Sequence, residues 1–179
     1  MIPRHPALAL VVALAAASAA GKTAERPAAP SVDLARYMGA WHEIAHMPNY
    51  PQRGCVDTSV YYRLAKNGGF ELMNTCWKGG KYKPYHGWAK PAGGGDGSRF
   101  RVKFFGLIGG DYWVEDLAPD YAWAAVGSAK RDQLWIIARE RALNDETYQG
   151  ILARARTRGY ELSRLERTVV TGKTAASPW

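Results

Sequence analysis

The chain predicts an all-β fold, an eight-stranded antiparallel up-and-down β-barrel with one C-terminal α-helix packed outside it, and three observations carry that prediction. First, between residues 41 and 139 short apolar segments are separated by turn residues: Asn49 to Gly54, Asn67-Gly68-Gly69, Gly79-Gly80, Pro91 to Gly95, Gly106 to Gly110, Pro119-Asp120 and Gly127 to Asp132. They leave eight segments near 41–47, 56–65, 70–78, 82–90, 99–105, 111–117, 122–127 and 133–139, joined by connections too short for parallel crossovers. Second, the segments alternate: Phe100, Val102 and Phe104 share one face while Arg99, Arg101 and Lys103 share the other. Third, the period changes after Arg139, where Tyr148, Ile151, Leu152 and Ala155 repeat at i, i+3, i+4 and i+7. Closing eight meandering strands removes both sheet edges, and a barrel of that size has room for side chains plus one small ligand.

Residues Met1 to Ala20 read as a secretory signal peptide: Arg4 and His5 precede an apolar run from Ala7 to Ala17, too short to span a bilayer comfortably, and Ala17-Ser18-Ala19 is a cleavage site of the A-x-A kind. The first cysteine is Cys55, so none stands at the cleavage point to take a lipid, and a soluble periplasmic or secreted protein is expected. Residues 21–31, with Pro27 and Pro30 among alanines and charges, read as a flexible linker, residues 32–170 as the barrel domain and residues 171–179 as a loose tail. Removing the leader takes away only Arg4 from 24 basic residues against 16 acidic ones, leaving +7 on about 159 residues, one domain of ordinary size. The cations are scattered singly on strand and helix faces. That excludes a nucleic-acid motif and leaves a general, weak attraction to anionic membrane surfaces.

Within the domain, Asp33 caps a single helical turn on which Leu34 and Tyr37 share a face, and Gly39 permits the backbone conformation needed to enter the first strand, where Trp41 points inward. The Asn67-Gly68 turn sets Leu64 against Phe70, so that Thr58, Val60, Tyr62 and Leu64 face Phe70, Leu72, Asn74 and Cys76. Asn144 or Asp145 starts the helix, Gly159 ends it, and residues 160–170 add a last strand. Cys55 and Cys76 are the only cysteines of a chain expected in an oxidising compartment. In this register Cys76 lies opposite Thr58, three residues from Cys55, so a disulfide requires a bulge near Val56-Asp57.

Three separated stretches resemble the lipocalins, most closely their bacterial outer-membrane lipoprotein and apolipoprotein D branch: Tyr37-Met-Gly39-Ala-Trp41-His-Glu-Ile-Ala45, Phe104 through Tyr112-Trp-Val114 to Asp120-Tyr121, and Leu134-Trp-Ile-Ile-Ala-Arg139. The resemblance implies a barrel open at one end that binds small apolar molecules such as a fatty acid or lysophospholipid, and no cofactor is expected. It marks Gly39, Trp41, Asp120, Tyr121 and Arg139 as structural motif residues, with Arg139 packed over Trp41. It also implies a ligand-lining wall of Val60, Tyr62, Leu72, Asn74, Phe100, Val102, Phe104, Tyr112 and Val114. Two departures are plain: His42 and His46 stand where this branch usually has tyrosine and arginine, and the lipid-anchoring cysteine is missing.

The histidines offer no metal site, since His42 and His46 share a strand face four residues apart and His86 lies elsewhere. No catalytic residue is assigned: Ser59 lacks a nucleophile-elbow setting. The leading expectation is a binding module that carries or sequesters an apolar ligand, as monomer or dimer. The alternatives are an enzyme on the same barrel, using Glu43, Asp116 or a histidine on a lipid or other apolar substrate, and an interaction domain using the basic helix. A carboxylate beside a histidine inside the barrel would favour the enzyme.

Overall fold

The computed structural model describes residues 26–93, 95–106 and 108–174; the expected signal peptide lies outside the described residues, as do the first residues of the expected linker and the end of the expected tail. Helix α1 (Leu34–Tyr37) starts where the Asp33 carboxylate accepts the backbone N–H groups of Ala35 and Arg36 at 2.9 and 3.4 Å. Gly39 follows at φ +94°, a conformation that side chains resist, and opens β1 (Gly39–His46). The meander continues through β2 (Cys55–Leu64), β3 (Phe70–Lys78), β4 (Lys81–Pro91), β5 (Arg99–Phe104), β6 (Ile108–Leu117), β7 (Trp123–Gly127) and β8 (Leu134–Ala138). Each strand pairs antiparallel with the next, and β1 pairs with both β8 and β2, which closes the barrel. The Asn67 turn sets Leu64 opposite Phe70 as the apolar pattern requires. Gly109 and Gly110, read above as part of a turn, instead belong to β6, opposite Lys103 and Val102.

The alternation sorts apolar residues into two cores. One fills the barrel, with Trp41, Tyr62, Phe70, Phe100 and Val114 among its buried members. The other lies outside, where Ile44, Ala45, Leu134 and Ile136 receive Tyr148, Ile151, Leu152 and Ala155 of α2 (Asp145–Thr157). Asn144 caps α2 by accepting the Thr147 N–H at 2.8 Å. Two of the helix arginines turn back to the barrel: Arg154 donates to Asp116 Oδ2 at 2.6 Å, and Arg158 donates to the carbonyl of Pro27 at 3.2 Å. Arg26, the first described residue of the expected linker, lies 3.4 Å from the buried Glu115 carboxylate and 4.6 Å from the Trp113 ring.

Two irregularities shape the open end. In β1 the pairing with β8 slips between Glu43 and Ala45, and β1 pairs with β2 only up to His42. Residues 166–172 run in the gap that results: β9 (Glu166–Arg167) pairs with Ala45 and His46, Thr168 N–H donates to Ile44, and Asp57 N–H donates to Val169. The strand expected over 160–170 is thus cut to two residues. Tyr160 is instead held at the outer core by its hydroxyl, which donates to Glu115 Oε1 at 2.9 Å. In β2 the register shifts between Val56 and Ser59, with Asp57 at φ +50°. This is the bulge the cysteines need: Cys55 and Cys76 are disulfide-bonded with their Cα atoms 5.5 Å apart.

The bridge closes a loop of 21 residues and is expected to contribute about 3 kcal/mol. Replacing both cysteines by serine should therefore lower the unfolding free energy in urea by that amount, with a steeper slope because the unfolded chain loses its constraint, and the denatured, unreduced parent should contain no titratable thiol.

Candidate ligand-binding mouth of the barrel

The closed end is sealed by one cation. The Arg139 guanidinium sits 3.8 Å from the centre of the Trp41 ring, an arrangement worth about 1–2 kcal/mol when partly desolvated. It also donates to the carbonyls of Ala40, Arg36 and Met38 at 2.8, 2.8 and 2.9 Å, joining the end of β8 to α1 and β1. Asp120 and Tyr121 form the neighbouring turn: Asp120 accepts the Ala122 N–H, and the Tyr121 hydroxyl accepts the Asp33 N–H at 2.9 Å.

Above this seal the lower barrel is solid. Tyr37 and Tyr62 stack at 5.5 Å, Phe70 packs edge-on against Tyr62 and Phe100 at 5.1 and 4.8 Å, and Tyr112 completes the layer. The hydroxyl of Tyr112 lies 2.7 Å from those of both Tyr37 and Tyr62, so the three phenols satisfy one another. Burial pushes all three phenols well above the ordinary tyrosine range, which keeps them neutral.

The upper barrel is different. Of the nine residues expected to line a ligand, Val60, Tyr62, Leu72, Phe100, Val102, Tyr112 and Val114 are buried in the interior core, and Tyr62, Phe100 and Tyr112 belong to the aromatic floor. Asn74 and Phe104 lie higher and are partly exposed. The Phe104 ring lies across Gly87, where a Cβ would come within 2.8 Å of it. Gly110, opposite Val102 and two residues above Tyr112, faces open space: a Cβ there would meet nothing within 4 Å. The alternation of β4 carries Tyr85, opposite Asn74, and Lys83, opposite Cys76, onto the same inward face towards the mouth. A glycine inside a strand was the available signal for Gly110, since it leaves wall with no side chain.

One side of the mouth is polar. Glu43, opposite the inward-facing Ile137, accepts from Gln52 Nε2 at 2.6 Å and from Thr168 Oγ1 at 2.7 Å, and His46 Nδ1 lies 3.0 Å from it. Gln52 Oε1 in turn accepts from Trp135 Nε1 at 2.9 Å, which pins the β1–β2 loop to the barrel wall. The roles of Gln52 and Thr168 have no signature in the sequence, because each depends on a loop or terminal segment arriving from afar. His42 and His46, expected on one face, lie on opposite faces because the β1 irregularity at Ile44 inserts one residue between them. His42 faces outward and bonds Ser59 Oγ at 2.9 Å. Asp116 also faces outward, against Arg154.

A closed up-and-down barrel with one sealed end, an open inner wall towards the other and a helix alongside defines a small-molecule binding barrel. Residues 32–170 match the family model for the lipocalin-like domain. Temperature-induced lipocalin-1 of Arabidopsis thaliana is 35% identical over 147 residues, covering 76% of this chain and 78% of that protein. Outer membrane lipoprotein Blc of Escherichia coli (strain K12) is 33% identical over 134 residues, covering 74% and 76%. Insecticyanin from the tobacco hornworm Manduca sexta has the same fold, with a TM-score of 0.65 at 17% identity over 83% of this chain and 86% of that one. The chain belongs to the lipocalin family, whose members mainly bind small hydrophobic molecules. Among the described residues no helix is long and apolar enough to cross a membrane.

The two histidines should act oppositely on stability. The bond to Glu43 raises the His46 pKa, so its contribution is complete below about pH 6.5 and lost as pH rises through the raised value. Burial, with Arg141 nearby, lowers that of His42, so protonating it costs stability as pH falls from the same range. Melting temperatures measured across this window should show the parent losing its advantage over His46→Gln with rising pH, and over His42→Gln with falling pH.

Proposed function

We propose that this lipocalin is exported and carries one long-chain amphiphile, a fatty acid or lysophospholipid, in the upper half of its barrel. The observation behind this reading is the contrast along the barrel axis: a filled aromatic floor below, and open space over Gly110 beside Phe104 and Asn74 above. An apolar chain descending from the mouth meets Val60, Leu72, Val102 and Val114 and stops at the layer of Tyr62, Phe100 and Tyr112. These tyrosines are occupied with one another, so they bound the site rather than orient a polar head. Asn74 supplies an amide part-way up, and Lys83 supplies a cation near the rim. Burying about ten methylenes at ~0.8 kcal/mol each gives ~8 kcal/mol, the equivalent of micromolar affinity, and ordering and association costs make that the upper bound for the chain alone.

The Glu43–His46 contact is the one observation that favours an enzyme instead. Both carboxylate oxygens already accept strong hydrogen bonds from Gln52 and Thr168, side chains that hold the loop and the C-terminal segment in place. That arrangement suits a strut better than a proton carrier.

Calorimetry with delipidated protein and a long-chain fatty acid should give one site. Gly110→Leu puts a side chain into the open space, where its Cβ meets nothing within 4 Å, so it should cut affinity about 200-fold, as expected for displacing roughly four methylenes, while the melting temperature holds. Lys83→Gln should weaken the fatty acid but not the alcohol of the same chain length. A parent that binds neither ligand would overturn the carrier reading.

A further inference from the structure

The outward face of β4 and β5 is unlike the rest of the barrel wall. Trp88 stands opposite Lys103 and Lys90 opposite Arg101, a block of one indole and three cations around an open groove of ≈ 230 Å³ that Gly106 completes. Trp88 is 45% exposed, and the His86 ring lies 4.4 Å from it. Arg101 pairs with Asp111 at 3.0 Å, and Glu71, opposite Trp88, is occupied by Arg63 and His86. Among the described residues no carboxylate lies within salt-bridge distance of Lys90 or Lys103. The groove therefore presents net positive charge around an aromatic face.

A second observation comes from the adjoining lip of the mouth. Phe105 follows β5 at φ +50°, a backbone conformation that costs a bulky residue about 1–2 kcal/mol, and its side chain is 66% exposed. The chain thus bears a strained backbone to hold an aromatic ring in water, when the glycine beside it shows what the turn prefers. Exposed aromatics next to unpaired cations are the pairing that bilayer interfaces select: rings sit at headgroup level while lysines meet anionic lipid.

We infer that the β4–β5 wall and the Phe105 lip form a docking surface for an anionic lipid bilayer, with Lys90 and Lys103 on the headgroups and Trp88 and Phe105 in the interface. The cations are spread over two neighbouring cross-strand pairs beside the indole, which fits a continuous surface of phosphates better than one enclosed anion. Docking there brings the mouth beside the bilayer. The inference deepens the carrier reading by naming where the cargo is exchanged, but it does not depend on it: none of these four residues lines the interior.

The test is sedimentation of the protein with phosphatidylcholine vesicles, with and without phosphatidylglycerol. Binding is expected only with phosphatidylglycerol. It should fall about 5-fold for Lys90→Gln or Lys103→Gln and about 30-fold for both together. Phe105→Gly relieves the backbone, so it should raise the melting temperature while weakening vesicle binding, which a merely structural role would not do. Fatty-acid affinity in vesicle-free solution should be unchanged in all of these variants, so failure of docking and failure of carriage are read separately. Equal binding to neutral vesicles, undiminished binding by the double lysine variant, or full competition by soluble glycerol phosphate, which would mark a site for free anions, would each overturn the inference.

Discussion

The barrel depends on the Arg139 guanidinium. Strand β1 must pair with β8 on one side and β2 on the other, and its first residues must also carry the turn of helix that covers the closed end. Arg139 holds these together by stacking on Trp41 and donating to three carbonyls of α1 and β1. Gly39 serves the backbone turn itself, at a φ of +94° that side chains resist, while a Cβ there would only reach ordinary contact with the guanidinium at 3.4 Å. With that end fixed, the aromatic floor has a base to pack on.

The open end is built by divergence. Once β1 leaves β2 after His42, the unpaired edges take up residues 166–172, and the carboxylates of Glu43 and Asp57 serve as anchors. Asp57 accepts the N–H groups of Thr171 and Gly172 and the Thr171 hydroxyl. Its pKa is lowered overall because these bonds outweigh the opposing effect of burial. The disulfide beside it fixes the bulge on which it sits. The rim of the mouth is thus held by covalent and polar ties.

Much of this was legible in residues whose environment is local. The alternation around Phe100, Val102 and Phe104, the Asn67-Gly68-Gly69 turn and the helical period of Tyr148, Ile151, Leu152 and Ala155 each report a neighbour a few residues away. Trp41 and Arg139, nearly a hundred residues apart, were legible only through the family resemblance. What stayed hidden needed long-range geometry: the slip at Ile44 that separates His42 from His46, the use of Gln52 and Thr168 by Glu43, and the shortening of the last strand to Glu166–Arg167. Alternation also marks a face as inward without saying whether it meets a neighbour or a void. Tyr112 and Gly110, two residues apart on one strand, answer that question in opposite ways.

The central claim is that the barrel is solid below the tyrosine layer and receptive above it. Spin-labelled fatty acids observed through the amide and indole NMR signals test this most directly. With the label near the methyl end, the account predicts stronger broadening of Gly110 and Asn74 at one equivalent than of the Trp41 indole N–H. Broadening of Trp41 as strong as that of Gly110, or no broadening of either, would contradict it.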